Sequence, residues 1–369
     1  MKKKILVILL FLMLFGCIVL GGLVFYYNKT LKEERINSKT GKNDNKELED
    51  TIILEIKQGM TSKQVIDTIY NAGFLKNKYV GYTYIKLNKN LNLQAGIYEL
   101  TNDMGFLEVM NKINSGEVVD NSIAVTFVEG KRITYFVQKI AENFTYSEEE
   151  IFDKISSDDY LNYLIDKYWF LTDEILNDKI YYPLEGYLYP NTYLFNKDAT
   201  VEEIIEKLLN STDKVLTNYK DLIENSEYSV HQLLTMASIV ELEGANSDDR
   251  RGVAGVFYNR LNSGWSLGSD VTTYYAAKID FGDRDLYQYE IDAVNDYNTR
   301  SSAMAGKLPV GPICSPSSLS IDAVLNPLEH NYYYFVADKN KKTYFSENYN
   351  QHIEIINKLK AEGLWYQYK

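Results

Sequence analysis

Residues Ile5 to Tyr27 (ILVILLFLMLFGCIVLGGLVFYY) carry no charged side chain. At ~1.5 Å per helical residue, such a run is long enough to cross a hydrocarbon core of ~30 Å. No other feature constrains the chain as much, because everything that follows a spanning helix must fold on one side of a bilayer. A cleaved signal peptide would have a shorter apolar region and a small-residue cleavage site, and the sequence shows neither. Lys2, Lys3 and Lys4 precede the run, whereas Lys29, Lys32 and Arg35 are interleaved with Glu33 and Glu34 after it. The positive-inside bias therefore favours a cytoplasmic N-terminus. The expectation is a single-pass protein of the cell membrane, with everything after about residue 28 extracytoplasmic. Leu14-Phe15-Gly16-Cys17 loosely resembles a lipobox, but the apolar run continues through Tyr27, which fits an uncut helix better.

The second cysteine, Cys314, has no partner beyond the membrane, so stability has to come from packed cores rather than a disulfide. A net charge of −12 and a pI near 4.9 argue against nucleic acid as a partner. The three histidines, His231, His330 and His352, are scattered without HExxH or CxxC spacing, and no Gly-rich phosphate loop occurs. Neither a metal nor another cofactor is expected.

Residues 28–50 are polar and charged, as expected of a solvated tether. A flexible chain of this length has a root-mean-square span of about 25 to 30 Å, which keeps the folded part near the membrane. Four regions follow from these patterns: 1–27 as cytoplasmic N-terminus and transmembrane helix, 28–50 as linker, 51–128 as a small subdomain, and 129–369 as the main domain. In the subdomain, Ile52, Leu54 and Ile56 alternate as a strand face, and Thr61-Ser62-Lys63-Gln64 offers a capping box into a helix with Val65, Ile66, Ile69 and Tyr70 on one side. Gly73 is placed to end that helix. A second helix over about Lys76 to Leu87, a strand over Ala95 to Leu100 and a helix from Phe106 to Asn114 complete a strand, helix, helix, strand order with one more helix. Ile123, Val125 and Phe127 alternate before the boundary at Glu129-Gly130. Residues 133–223 read as mostly helical, interrupted by a shaped loop at Tyr182 to Pro190 with two prolines and a glycine. The last third mixes helices with short strands near Tyr332 to Val336 and Thr343 to Phe345. The fold class expected is α+β, with a mostly helical main domain.

The segment Ser229 to Ala245 (SVHQLLTMASIVELEGA) bears most on chemistry. Ser229 and Gln232 form a capping box, and the apolar positions predict a buried helix. Glu241 lies late in it, with Ala237, Ser238, Gly244 and Ala245 as its same-face neighbours. A carboxylate facing a strip of small residues leaves room for a ligand, and desolvation there favours general-acid chemistry. The alternative is a buried ion pair with Arg250, Arg251 or Arg260. Glu243 points to another side of the helix and reads as a solvated or salt-bridged residue. Asp270 is either a positioning residue or a helix cap. Glu185 is a site wall or, more in keeping with its loop, a brace. Tyr297 and Asn298 are candidate sugar contacts by stacking and amide hydrogen bonding, against a purely structural loop. With 32 tyrosines in the chain, no single one is specific.

Six segments, in order, resemble motifs of the MltG (YceG-like) endolytic murein transglycosylase family. They are Ala237-Ser238-Ile239-Val240-Glu241, Val256-Phe257-Tyr258-Asn259-Arg260-Leu261, Ser269-Asp270, Tyr297-Asn298-Thr299, Leu308-Pro309-Val310-Gly311-Pro312-Ile313 and Tyr334-Phe335-Val336-Ala337. Leu184 to Pro190 and Gln94 to Tyr98 are similar to it as well. The resemblance spans about residue 51 to the C-terminus. It implies a LysM-like subdomain and a lytic transglycosylase that cleaves between N-acetylmuramic acid and N-acetylglucosamine, with Glu241 as catalytic residue. Ser238, Asp270, Tyr297, Asn298 and Glu185 are candidate substrate contacts by their own positions beside it or in the shaped loops. It also implies peptidoglycan glycan strands as substrate, and action beside peptidoglycan synthases as a terminator of nascent strands. The chain departs from the family's pattern at Val271, Arg300, Gln351 and Ile353, where Pro, Tyr, Glu and Asn are usual.

One carboxylate suffices for the implied reaction. It protonates the glycosidic oxygen, then takes the proton from the same sugar's C6 hydroxyl as that oxygen closes a 1,6-anhydro ring. The absence of a clear second acid agrees with a lyase. A noncatalytic peptidoglycan-binding scaffold and a lysozyme-like hydrolase, with Asp270 or Glu185 as second acid, are the competing readings.

Overall fold

The computed structural model describes residues 21–22, 24–31, 51–119, 122–244, 246–280 and 282–365. The expected spanning run and tether lie largely outside these residues. Among the described residues, no helix is long and apolar enough to cross a membrane. Over the described residues the fold is mixed α+β, with helices dominating and three two-stranded sheets. Contacts divide the chain into two compact units, Met1–Val125 with Thr192–Lys197, and Thr126–Asn191 with Asp198–Lys369.

In the first unit, β1 (Thr51–Ile56) pairs antiparallel with β2 (Gly96–Thr101), from Thr51 opposite Thr101 to Ile56 opposite Gly96. Two helices connect them, α1 (Ser62–Asn71) and α2 (Lys78–Leu87), and α3 (Phe106–Ser115) follows. Alternation along β1 and β2 buries Leu54, Ile56, Tyr98 and Leu100 on one face. Against it pack Val65, Ile66 and Ile69 of α1 and Phe106, Val109, Met110 and Ile113 of α3. Each fully buried side chain of this size contributes roughly 1.5–3 kcal/mol. The Thr61 and Gln64 capping box forms, with Thr61 N–H donating to Gln64 Oε1 at 2.8 Å. Gly73, at φ +86°, turns the chain out of α1, and at Gly81 a methyl group would fall 2.6 Å from Ile66 Cγ2, which is why α2 can approach α1 so closely. A further small sheet joins β3 (Ser122–Thr126) to β4 (Thr192–Asn196). β4 falls inside the stretch read from sequence as helical, and its β-forming Thr192, Tyr193 and Phe195 explain the difference.

In the second unit, α4 (Ile133–Asn143), α5 (Glu148–Ile155), α6 (Asp158–Lys167), α7 (Val201–Thr217) and α8 (Lys220–Glu224) precede a central helix, α9 (Val230–Glu243). After it come α10 (Ser247–Asn262), α11 (Asp270–Ala276), α12 (Gln288–Ile291), α13 (Ser318–Leu325), the hairpin β5 (Tyr334–Ala337) and β6 (Thr343–Ser346), and α14 (Tyr349–Ala361). Helix α9 packs against α10, α11 and α13, so it is apolar almost all round, with Leu234, Met236, Ile239 and Val240 inaccessible. Its Ser229 and Gln232 capping box forms as expected. Whatever polar group α9 carries must therefore find its partners within the protein or at the helix end.

Candidate active site

Two carboxylates leave the last turn of α9, and they differ in surroundings. Glu241 is buried, and four hydrogen bonds hold it. Arg250 Nη2 donates to Oε1 at 2.9 Å, while Oε2 accepts from Ser317 N–H at 2.9 Å, Ser317 Oγ at 2.5 Å and Ser320 Oγ at 2.7 Å. Ser317 immediately precedes α13, so Glu241 satisfies an otherwise unpaired N–H at that helix's start, where a negative charge is stabilised by the helix dipole. The ion pair with Arg250, one of the alternatives open in the sequence, is the arrangement found.

The small residues around Glu241 do not clear a path for a ligand. Ser238 is fully buried, its hydroxyl donating to Thr235 O at 2.7 Å and accepting Ile313 N–H at 3.0 Å, while the Cys314 thiol donates to Ser238 O at 3.3 Å. Residues 313–314 thus occupy that strip. A Cβ at Gly244 would lie 2.4 Å from Arg250 Cγ, so Gly244 makes room for the arginine stem. Ala245 lies outside the described residues. The expected substrate contact by Ser238 is corrected accordingly: it is a packing residue with both hydroxyl roles taken.

Glu243, the last residue of α9, is half-buried. Ser269 Oγ donates to its Oε1 at 2.6 Å, and among the described residues Oε2 accepts no hydrogen bond. Burial pushes the Glu243 carboxyl above the ordinary carboxylate range. The Ser269 hydrogen bond opposes that rise, the Asp270 charge adds to it, and Arg260 and Arg300 oppose it. Asp270 itself is half exposed and ion-paired with Arg300 Nε. Arg260 donates through Nε to Tyr333 O at 2.7 Å and through Nη1 to Leu267 O, so its guanidinium is fixed by carbonyls while its charge faces Glu243.

The Tyr297 loop acts from behind this cluster. Tyr297 is buried, its ring 4.8 Å from both Tyr181 and Tyr275. Asn298 is also buried. Its Oδ1 accepts from Thr273 Oγ1 at 2.7 Å and from Arg300 N–H at 3.1 Å, and its Nδ2 donates to Ala293 O at 2.7 Å. Thr299 Oγ1 accepts Ser269 N–H at 3.0 Å. Tyr297 and Asn298 were expected to touch sugar directly; with no exposed polar atom to offer, Tyr297 packs against Tyr181 and Tyr275, Asn298 holds the Arg300 backbone, and Thr299 holds that of Ser269.

Glu185 is buried as well. Its Oε1 accepts Ile133 N–H at 2.9 Å, at the start of α4, and its Oε2 accepts from Tyr275 OH at 3.1 Å. Burial pushes its carboxyl up to about 8, against these hydrogen bonds and the Arg132 charge. It braces the Leu184 to Gly186 turn and is not a groove wall. Among the described residues, no group of three His, Cys, Asp or Glu side chains is placed to hold a metal ion.

Sequence reasoning named Glu243, Ser269, Arg260 and Arg300 separately and did not join them into one cluster. It placed Glu243 by mid-helix angles, but a residue at a helix end faces the loops beyond the end. The neighbouring Ser269-Asp270 motif was the available signal.

The YceG-like family profile matches residues 54–358. An endolytic murein transglycosylase of Bacillus subtilis is 31% identical over 337 residues, covering 91% of this chain and 89% of that protein. The protein of the same name from Streptococcus pneumoniae serotype 2 is 29% identical over 82% of this chain, which spans 57% of its length. A crystal structure of a yceG-like protein from Listeria monocytogenes superposes with a TM-score of 0.60 at 30% identity, covering 83% of this chain and 99% of that one.

Proposed function

The chain belongs to the YceG-like family, and from that premise we propose that it is an endolytic peptidoglycan lytic transglycosylase whose acid and base is Glu243. The observation that carries the assignment is the contrast between the two carboxylates. Glu241 accepts four hydrogen bonds with both of its oxygens engaged, whereas Glu243 is held by one hydroxyl through Oε1 and keeps Oε2 for a proton. Burial raises its carboxyl, the direction a general acid needs.

In this reading, Glu243 Oε2–H protonates the oxygen linking N-acetylmuramic acid to N-acetylglucosamine as the bond to C1 breaks through an oxocarbenium-like state. Arg260 and Arg300 stabilise the carboxylate that remains. That carboxylate then accepts the proton of the C6 hydroxyl while O6 bonds to C1, leaving a 1,6-anhydro end and a restored acid. No water is consumed. Asp270, paired with Arg300, serves the acid and is not a second one, which sets the hydrolase reading aside.

The run Ile5 to Tyr27 anchors the chain in the cytoplasmic membrane with the rest outside, a reading supported by its length, its lack of charge and the three lysines before it. The first unit is a LysM-like module, supported by two antiparallel strands joined through two helices. Work beside peptidoglycan synthases, ending nascent strands, fits a short tether.

The test is mass spectrometry of ends released from purified glycan strands. Wild type and Glu241→Gln that remains folded are expected to give 1,6-anhydro ends, and Glu243→Gln none. Reducing ends would refute the lyase, and an active Glu243→Gln would refute the acid.

A further inference from the structure

We propose that Trp265, Tyr334 and Tyr349 form a stacking shelf beside Glu243 that binds an N-acetylhexosamine ring of the glycan strand; the inference rests on the lytic reading for its ligand class. The three rings are contiguous. Trp265 and Tyr334 have centroids 6.0 Å apart at 72°, and Tyr334 and Tyr349 are 6.1 Å apart at 56°. Trp265 is 43% exposed and Tyr349 60%. Among the described residues, none of the three uses its indole N–H or phenol hydroxyl in a hydrogen bond within the protein. The exposed rings of Trp265 and Tyr349, both set against half-buried Tyr334 and carrying unused polar groups, match a pyranose, which presents C–H faces and equatorial hydroxyl or acetamide edges.

The shelf is held in place. Trp265 N–H donates to Arg260 O at 2.8 Å, and Trp265 O accepts Gly306 N–H at 2.9 Å, so its backbone is fastened on both sides. Tyr333, 5.0 Å from Trp265, has its hydroxyl 3.0 Å from Ser263 Oγ. His352 lies 5.3 Å from Tyr334 at 30° and backs the shelf, and burial together with the Arg260 charge lowers its pKa.

Arg260 connects the shelf to the acid. Its guanidinium carbon is 5.7 Å from the Tyr334 centroid, its Nε holds Tyr333 O, and its charge faces Glu243. A sugar stacked on the shelf therefore lies across Arg260 from the reacting carboxyl. Rigid rings presented on a fixed backbone lose little conformational entropy on binding, which is the condition for such a surface to select a ligand.

The experiment uses the full chain in detergent micelles, carrying Glu243→Gln to prevent turnover, titrated with soluble glycan strands freed of stem peptides. Adding Trp265→Ala or, separately, Tyr349→Ala is expected to weaken binding about tenfold or more, whereas Trp265→Tyr, which keeps a ring, restores most of it. In the otherwise wild-type chain, Trp265→Ala should raise KM more than it lowers kcat. Unchanged affinity in both alanine variants overturns the shelf. Anhydro-end analysis of the wild type tests the lytic reading separately: ring-dependent binding without anhydro products would uphold the shelf and refute that reading.

Discussion

Ser269 Oγ donates to Glu243 Oε1 at 2.6 Å, and the same serine's backbone N–H is held by Thr299 Oγ1 at 3.0 Å. The hydroxyl fixes one carboxylate oxygen and stabilises the ionised form. Ser269→Ala should therefore do two things at once. It should lower kcat roughly tenfold or more through loss of positioning, and it should move the alkaline limb of the pH–rate profile to higher pH, because the acid then holds its proton longer. A profile whose limb stays in place while kcat falls would leave Ser269 without a role in setting the acid.

Glu241 should reveal itself in stability rather than in chemistry. Glu241→Ala strands Arg250, whose Nε already lacks a partner, and leaves Ser317 and Ser320 without their acceptor. Breaking a buried pair by removing one partner typically costs about 3–5 kcal/mol. Urea denaturation is expected to show a loss of that order, with part recovered in Glu241→Ala/Arg250→Met, where no buried charge remains. A loss no larger in the single variant than in the double would contradict the account.

The sequence patterns reached the local elements well and the site only in part. Capping at Thr61 and Ser229 depends on residues three apart, so it can be read along the chain, and the β1–α1–α2–β2 order followed from short periodicities. The partners of Glu241 and Glu243 lie 9 to 79 residues away in sequence, and periodicity carries no information about them. Small residues at 237, 238 and 244 read equally as room for a ligand or room for packing; only the positions of Ile313 and Arg250 decide for packing. The strand at Thr192–Asn196 was hidden because its partner, Ser122–Thr126, is distant in the chain.

Asp270 and Arg300 should shift the acid in opposite directions. The acid is active while protonated, so activity falls as pH rises through its pKa. Asp270 raises that pKa and Arg300 lowers it. Asp270→Asn should accordingly bring the alkaline limb to lower pH, and Arg300→Gln should carry it higher. Arg300→Lys keeps the charge and should stay nearer the wild type. Limbs that move the same way in Asp270→Asn and Arg300→Gln would show that these groups act through structure and not through charge.

Glu185 makes the fold itself pH-sensitive. Its carboxyl is raised by burial to about 8 from an ordinary value of 4.5. The folded state thus binds a proton that the unfolded state has released between these two values, and stability falls as pH rises through that window. The contribution is whole below about pH 4.5 and lost above about pH 8, and at roughly 1.4 kcal/mol per unit it amounts to several kcal/mol. Glu185→Gln keeps an acceptor for Ile133 N–H and carries no charge at any pH. The difference in unfolding free energy between variant and wild type, measured by urea denaturation, should grow in the variant's favour from pH 5 to pH 8. A difference that stays constant across that range would mean that Glu185 does not take up its proton on folding.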